Sequence, residues 1–251
     1  MSDEFYIGYE SQMPDGIAKR IRPAAIGVIA LALTLPAVFV VAQGRFSSGI
    51  FEYGRERTIE GRLIETPYPA VLVPETPAHA AMTYWLVGPG KHGAAEIVRG
   101  FDGRVVRVTG SLIARDADSM IEVASGHMVA IDTHTPPLEP IRSLGPVVLH
   151  GEIVDSKCHL GVMKPGEGPV HRDCAVRCLL GSVTPMFVPS GHDRAPGRLA
   201  LVDPDGRPFT GSLETIAGRP LTIRGTLLAR GPQRFLATER SAIALGDGAS
   251  E

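Results

Sequence analysis

From Pro23 to Gly44 the chain carries no charged residue, and Ile26 through Ala42 is apolar almost throughout. As a helix rising about 1.5 Å per residue, a run of this length crosses a hydrocarbon layer of about 30 Å. Lys19, Arg20 and Arg22 stand directly before it and only Arg45 follows closely. The positive-inside bias therefore predicts a single-pass transmembrane helix over residues 23–44 in the cell (inner) membrane. Residues 1–22 are then cytoplasmic, and everything after about residue 45 is periplasmic, or otherwise extracytoplasmic. A cleaved signal peptide is the competing reading, because Val40-Val41-Ala42 also fits a small-residue cleavage site. The long polar leader and the long apolar run weigh against it, and both readings export the rest of the chain.

Beyond the helix the pattern changes to short runs rich in Val, Ile and Leu. They are broken every ten or so residues by turn sequences such as Gly88-Pro89-Gly90 and Asp203-Pro204-Asp205-Gly206. This part is mainly β. Two stretches of it match in a fixed register. Val108-Thr109-Gly110-Ser111-Leu112-Ile113-Ala114-Arg115 aligns with Ile223-Arg224-Gly225-Thr226-Leu227-Leu228-Ala229-Arg230, and Leu86-Val87 with Leu201-Val202, at one offset of 115 residues. Upstream, Ile59-Glu60-Gly61-Arg62-Leu63-Ile64-Glu65 aligns with Leu149-His150-Gly151-Glu152-Ile153-Val154-Asp155 at an offset of 90. Several matches holding one register indicate an internal duplication. The difference between the offsets places an insertion of about 25 residues in the second copy, between Asp155 and Leu201.

Each copy has the length and strand count of a five-stranded, partly open barrel of OB type, with glycines inside its strands marking tight bends. The expected organisation is a first OB-like β-barrel over residues 45–131, a Pro-rich linker over 132–144, a second barrel over 145–244 that carries the insertion, and a disordered tail over 245–251. Trp85 is expected in the core of the first barrel.

The composition removes some functions. A net charge of -2 and an aromatic content of 6% offer neither a clustered basic surface nor a stacking platform, so no nucleic-acid partner is expected. No nucleotide-binding loop, hydrolase elbow or zinc-protease motif is present, and no independent catalytic activity is expected.

The chemistry is concentrated in the insertion. All three cysteines lie there, in Asp155-Ser156-Lys157-Cys158-His159 and His171-Arg172-Asp173-Cys174-Ala175-Val176-Arg177-Cys178. An odd number of thiols in an oxidising compartment leaves one unpaired, whereas a metal or cluster uses all three. His171, Cys174 and Cys178 stand at i, i+3 and i+7, so a short helix over residues 170–180 would align them on one face. Ala175, Val176, Leu179 and Leu180 would then pack on the barrel. Cys158, at the end of a strand, completes a set of three thiolates and one imidazole suited to Zn, Cu or an iron–sulfur centre. His159 and Met163 are possible additional ligands for copper. His92, His127, His134 and His192 read as surface loop residues.

These features predict a membrane-anchored extracytoplasmic protein with a metal-binding or redox site in the second of two duplicated β domains. It would serve as an accessory, electron-transfer or metal-handling subunit of a membrane protein complex. The alternative is a non-catalytic structural or interaction subunit, whose cysteines form a disulfide stapling the insertion to its barrel. The first copy, which has no cysteine, reads as scaffold.

Overall fold

A computed structural model describes residues 13–43, 49–77, 79–131, 138–191 and 197–246. The chain divides into an N-terminal unit, residues 1–46, and a β unit, residues 47–251. Among its described residues the N-terminal unit has one helix, α1 (Asp15–Gln43), which starts ahead of the predicted Pro23 and runs through both Pro23 and Pro36. Its apolar stretch has a mean hydropathy of 2.6 and is long enough to cross a membrane or to act as a signal sequence. The hydroxyl of Thr34 donates to the carbonyl of Ala30 at 2.9 Å, satisfying the polar atom inside the helix and keeping the apolar surface continuous.

The β unit contains two closed five-stranded barrels in tandem. The first is built from β1 (Ile50–Ile64), β2 (Ala70–Val73), β3 (Met82–Val87), β4 (Val105–Arg115) and β5 (Asp118–Glu122), with a one-turn helix α2 (Ala95–Val98) between β3 and β4. The strands follow the order β1-β2-β3-β5-β4, and β4 closes on β1; only the β3–β5 pairing is parallel. A short β6 (Met128–Ile131) extends the sheet beside β4. The second barrel repeats this plan with β7 (Arg142–Asp155), β8 (Pro185–Pro189), β9 (Leu199–Val202), β10 (Leu221–Arg230) and β11 (Gln233–Ala237). Its order is β7-β8-β9-β11-β10, closing on β7, with only β9–β11 parallel and with β12 (Ile243–Leu245) extending β10. Leu245, the first residue of the expected tail, is therefore part of a strand.

The two sequence offsets reappear as strand register. Gly61 pairs with Val106 and Gly110 with Arg57, while Gly151 pairs with Leu221 and Gly225 with Val147. The repeated glycines mark close backbone approaches. A Cβ at Gly61 would lie 2.4 Å from the Leu72 carbonyl oxygen, and one at Gly151 would lie 2.1 Å from that of Val188. Any side chain at these positions would push the neighbouring strand out of the ladder.

Leu63, Val71, Leu86, Val108 and Ile121 fill the first barrel, and their counterparts Ile153, Phe187, Leu201, Ile223 and Leu236 fill the second. A third cluster lies between the barrels. Ile64, Trp85, Val87 and Met120 pack there against Val154, Ala200, Val202 and Phe235. Successive residues on a strand face opposite ways, so these strand ends bury one side in their own barrel and the other in the shared core. This explains their continuous apolar runs. Trp85 belongs to the shared cluster rather than to the interior of the first barrel; its ring meets that of Phe235 edge-on at 6.1 Å and 90°. Continuous hydrophobicity in the sequence does not distinguish these two buried environments.

Candidate metal centre

The insertion lies between β7 and β8. Residues 65–69 join β1 to β2 in the first barrel, whereas residues 156–184 make the equivalent connection in the second. β7 ends at Asp155, which is fully buried, and the chain turns at once into an irregular helical turn, Cys158–Val162. The carboxylate of Asp155 holds this turn by accepting the Cys158 N–H at 2.8 Å. Gly161 and Gly49 let the turn press against the start of β1: a Cβ at Gly161 would come within 2.3 Å of the Ile50 carbonyl oxygen. The insertion is thus seated on both barrels.

The predicted helix is present as α3 (Arg172–Leu180), with His171 at its N-cap. Cys178 and Ala175 are buried and Leu179 packs against the interior of the second barrel. Leu180, expected to pack beside it, is 64% exposed. The helix brings Cys174 and Cys178 to Cys158: the Cys158 sulfur lies 3.8 Å from that of Cys174 and 4.0 Å from that of Cys178. His171, 2% exposed, places Nε2 2.9 Å from the second oxygen of Asp155. Ligand atoms of Cys158, His171 and Cys174 lie within 4.8 Å of one another, as do those of Asp155, Cys158 and Cys178. Cys158 is common to both groups.

All three cysteines are free thiols, and their separations far exceed the roughly 2.05 Å of a disulfide. They are close to a different length. Thiolates bound tetrahedrally at about 2.3 Å from a zinc ion stand about 3.8 Å apart along the edge of the tetrahedron. The Asp155–His171 contact resembles the carboxylate–imidazole pairs that orient metal-binding histidines through their second ring nitrogen.

The two buried sulfurs are shifted in opposite directions. Cys158 is pushed well above the ordinary thiol range by its hydrogen bond to Cys178, by burial and by the Asp155 carboxylate. Cys178 is held below that range, chiefly by the Cys158 hydrogen bond and against the effect of burial, with help from the Lys91 ammonium. Lys91 comes from the first barrel, in the loop between β3 and α2. Its Nζ donates to Cys174 at 2.7 Å and lies 3.8 Å from Cys178.

Two struts fix this loop. The ammonium of Lys157, in the insertion, donates to the carbonyls of Gly88 and Gly90 at 2.9 and 2.7 Å and pairs with the carboxylate of Glu122. The Gly93 N–H donates to the Gly181 carbonyl at 2.8 Å. Gly181 is also where the loop crosses the end of α3, since a Cβ there would stand 1.8 Å from the Lys91 carbonyl oxygen. The expectation that the first copy is only scaffold is therefore corrected: it supplies a cation to the thiols.

His159 does not join the group formed by the sulfurs and His171. The ring of His159 is buried beneath Arg115, whose Nη1 lies 3.1 and 3.0 Å from its two nitrogens; Arg198 donates to Nε2 at 3.0 Å, and Glu167 lies 3.2 Å from Nδ1. Burial holds His159 below the ordinary histidine range; Glu167 opposes this, and the two guanidinium charges reinforce it. Arg198 also pairs with Asp116 and Asp118. Arg115, Asp116 and Asp118 belong to the first barrel, so His159 is part of a polar clasp between the barrels. Met163 is 42% exposed. His92 and His127 are exposed, as expected, and His134 and His192 lie outside the described residues.

Comparisons of the chain with protein-family models, with curated proteins and with solved structures find no match.

Proposed function

We propose that this is a membrane-tethered, extracytoplasmic metal-binding protein. Its two barrels are of OB type, and its centre is formed by Cys158, Cys174, Cys178 and His171, with Asp155 orienting the imidazole. The observation that carries this reading is the pair of sulfur separations, 3.8 and 4.0 Å, which suit the edges of a tetrahedral thiolate site. Three soft ligands and an imidazole suit Zn or Cu(I) better than Mg or Ca, which take oxygen. Four protein ligands would close the coordination sphere, so the ion would serve structure, metal transfer or electron transfer rather than substrate activation. Tethering raises the local concentration of the site for a membrane-bound partner complex.

The test is metal analysis of the full-length protein, purified in detergent under anaerobic conditions. One soft metal ion per chain is expected, lost in Cys174→Ser and reduced in His171→Ala, with both variants still folded by circular dichroism. Metal-free protein whose mass shows one disulfide would refute the metal reading. It would support the structural alternative, which the closeness of Cys158 to both other thiols also permits. A reporter fused to the C-terminus should be active outside the cytoplasm; a cytoplasmic signal would overturn the orientation.

A further inference from the structure

We infer that Lys91 is a working component of this centre: a cation supplied by the first barrel that hydrogen-bonds the Cys174 thiolate and offsets the negative charge of the metal complex. The inference rests on the metal reading above. Lys91 is 2.7 Å from Cys174 and 3.8 Å from Cys178, and the loop that carries it is built into place. Lys157 anchors its backbone at Gly88 and Gly90, and the Gly93–Gly181 contact fixes its other end on α3. Lys157 immediately precedes Cys158, and Gly181 immediately follows α3, so both struts rise from the elements that carry the thiols. A surface lysine that met a cysteine by chance would need neither.

The charge balance gives the lysine a specific task. Three thiolates around a dipositive ion leave one negative charge, which one ammonium neutralises. Around a monopositive ion they leave two, of which Lys91 offsets half. With Lys91 in place the three thiolates balance a dipositive ion of the Zn class, and the buried Asp155 carboxylate adds the same one negative charge whichever ion is bound. Attraction between the ammonium and the complex scales with the charge of the complex, so removing Lys91 should harm the monopositive complex more. A charge-assisted hydrogen bond to a partly exposed group corresponds to roughly fivefold to tenfold in affinity.

The full-length protein in detergent is titrated anaerobically with Zn²⁺ and, separately, with Cu⁺, each in competition with a chromophoric chelator. Lys91→Met should bind Zn²⁺ roughly fivefold more weakly than wild type and Cu⁺ more weakly still, while Lys91→Arg restores most of both. In Co²⁺-loaded protein the thiolate-to-metal charge-transfer band should shift to lower energy in Lys91→Met, because the thiolate loses its hydrogen-bond donor. The melting temperature of the metal-free protein should not change, since the side chain is exposed. Unchanged affinities and an unchanged Co²⁺ band in Lys91→Met would overturn the inference and leave the metal site standing. Equal losses for Zn²⁺ and Cu⁺ would overturn the charge-balance argument. A wild-type protein that binds none of the three ions would instead overturn the metal reading itself.

Discussion

The shared core between the barrels can be tested with Trp85 and Phe235, one from each copy. Their rings meet edge-on at 6.1 Å, and both residues are buried, at 5% and 0% exposure. Truncating either to Ala removes a large buried aromatic and leaves a cavity, at a cost of about 3–5 kcal/mol. For a unit of this size each kcal/mol lowers the melting temperature by roughly 2–4 °C, so Trp85→Ala should melt roughly 6–20 °C below wild type. That single result would also follow if Trp85 filled the first barrel alone. The double variant discriminates. Rings in contact couple by about 0.5–1.5 kcal/mol, and once one ring is gone the second truncation costs correspondingly less. Denaturation of the four proteins, followed by circular dichroism because Trp85 is the only tryptophan, gives the coupling directly. Additivity within about 0.3 kcal/mol, or separate transitions for the two barrels in the wild type, would refute a common core.

Three further outcomes follow from particular contacts. Tyr68→Phe removes a buried hydroxyl that donates to the Leu201 carbonyl at 2.6 Å and accepts the Phe209 N–H at 2.9 Å; a loss of about 2 kcal/mol is expected, and a loss below about 0.5 kcal/mol in guanidinium denaturation would contradict this role. Gly181→Ala places a Cβ against the Lys91 carbonyl; it should cost about 1–3 kcal/mol and weaken metal binding at least as much as Lys91→Met, whereas wild-type affinity would show that the loop does not need this crossing. Glu152 is raised above the ordinary carboxylate range by burial, which the Gly168 N–H bond only partly opposes. Its folded pKa exceeds its unfolded one, so the ionised form costs the folded state stability at neutral pH, and this cost is relieved as pH falls through the folded value. Glu152→Gln should raise the melting temperature at pH 7 and leave it unchanged below about pH 4, where both states of the wild type are protonated; a lowered melting temperature at pH 7 would reverse the assignment.

Much of the fold was legible because the duplication is written in positions that tolerate little change. Gly61, Gly110, Gly151 and Gly225 are fixed by backbone contact, so they survive as a readable register where the rest of the strands has diverged. The insertion was also legible, as a break in that register. The destination of each apolar residue was not. Trp85 and Leu86 are adjacent, equally apolar and nearly equally buried, yet one faces the shared core and the other the barrel interior. Alternation along a strand reveals a face only when the opposite face is polar, and here neither is.

The thiol site divides in the same way. His171, Cys174 and Cys178 were legible as one face of a helix because local geometry sets i, i+3 and i+7. Cys158 was legible as a partner because a strand end and a helix in one insertion have little room to separate. Lys91 was not legible, for it lies 83 residues before Cys174, in a loop whose sequence reads as an ordinary glycine-rich turn. Nothing in a lysine marks it as the partner of a cysteine until the packing of two barrels brings them together. The same packing answers why a duplication would be kept when only one copy carries the cysteines. An isolated second barrel would expose the face bearing Val154, Cys158, Cys178 and Phe235, so its thiols would sit on an open apolar patch without a cation. The first copy covers that patch and brings Lys91 to the sulfurs. The proposed centre would therefore depend on the pair, and loss of the first barrel's loop should weaken metal binding at least as much as Lys91→Met even though every proposed ligand lies in the second.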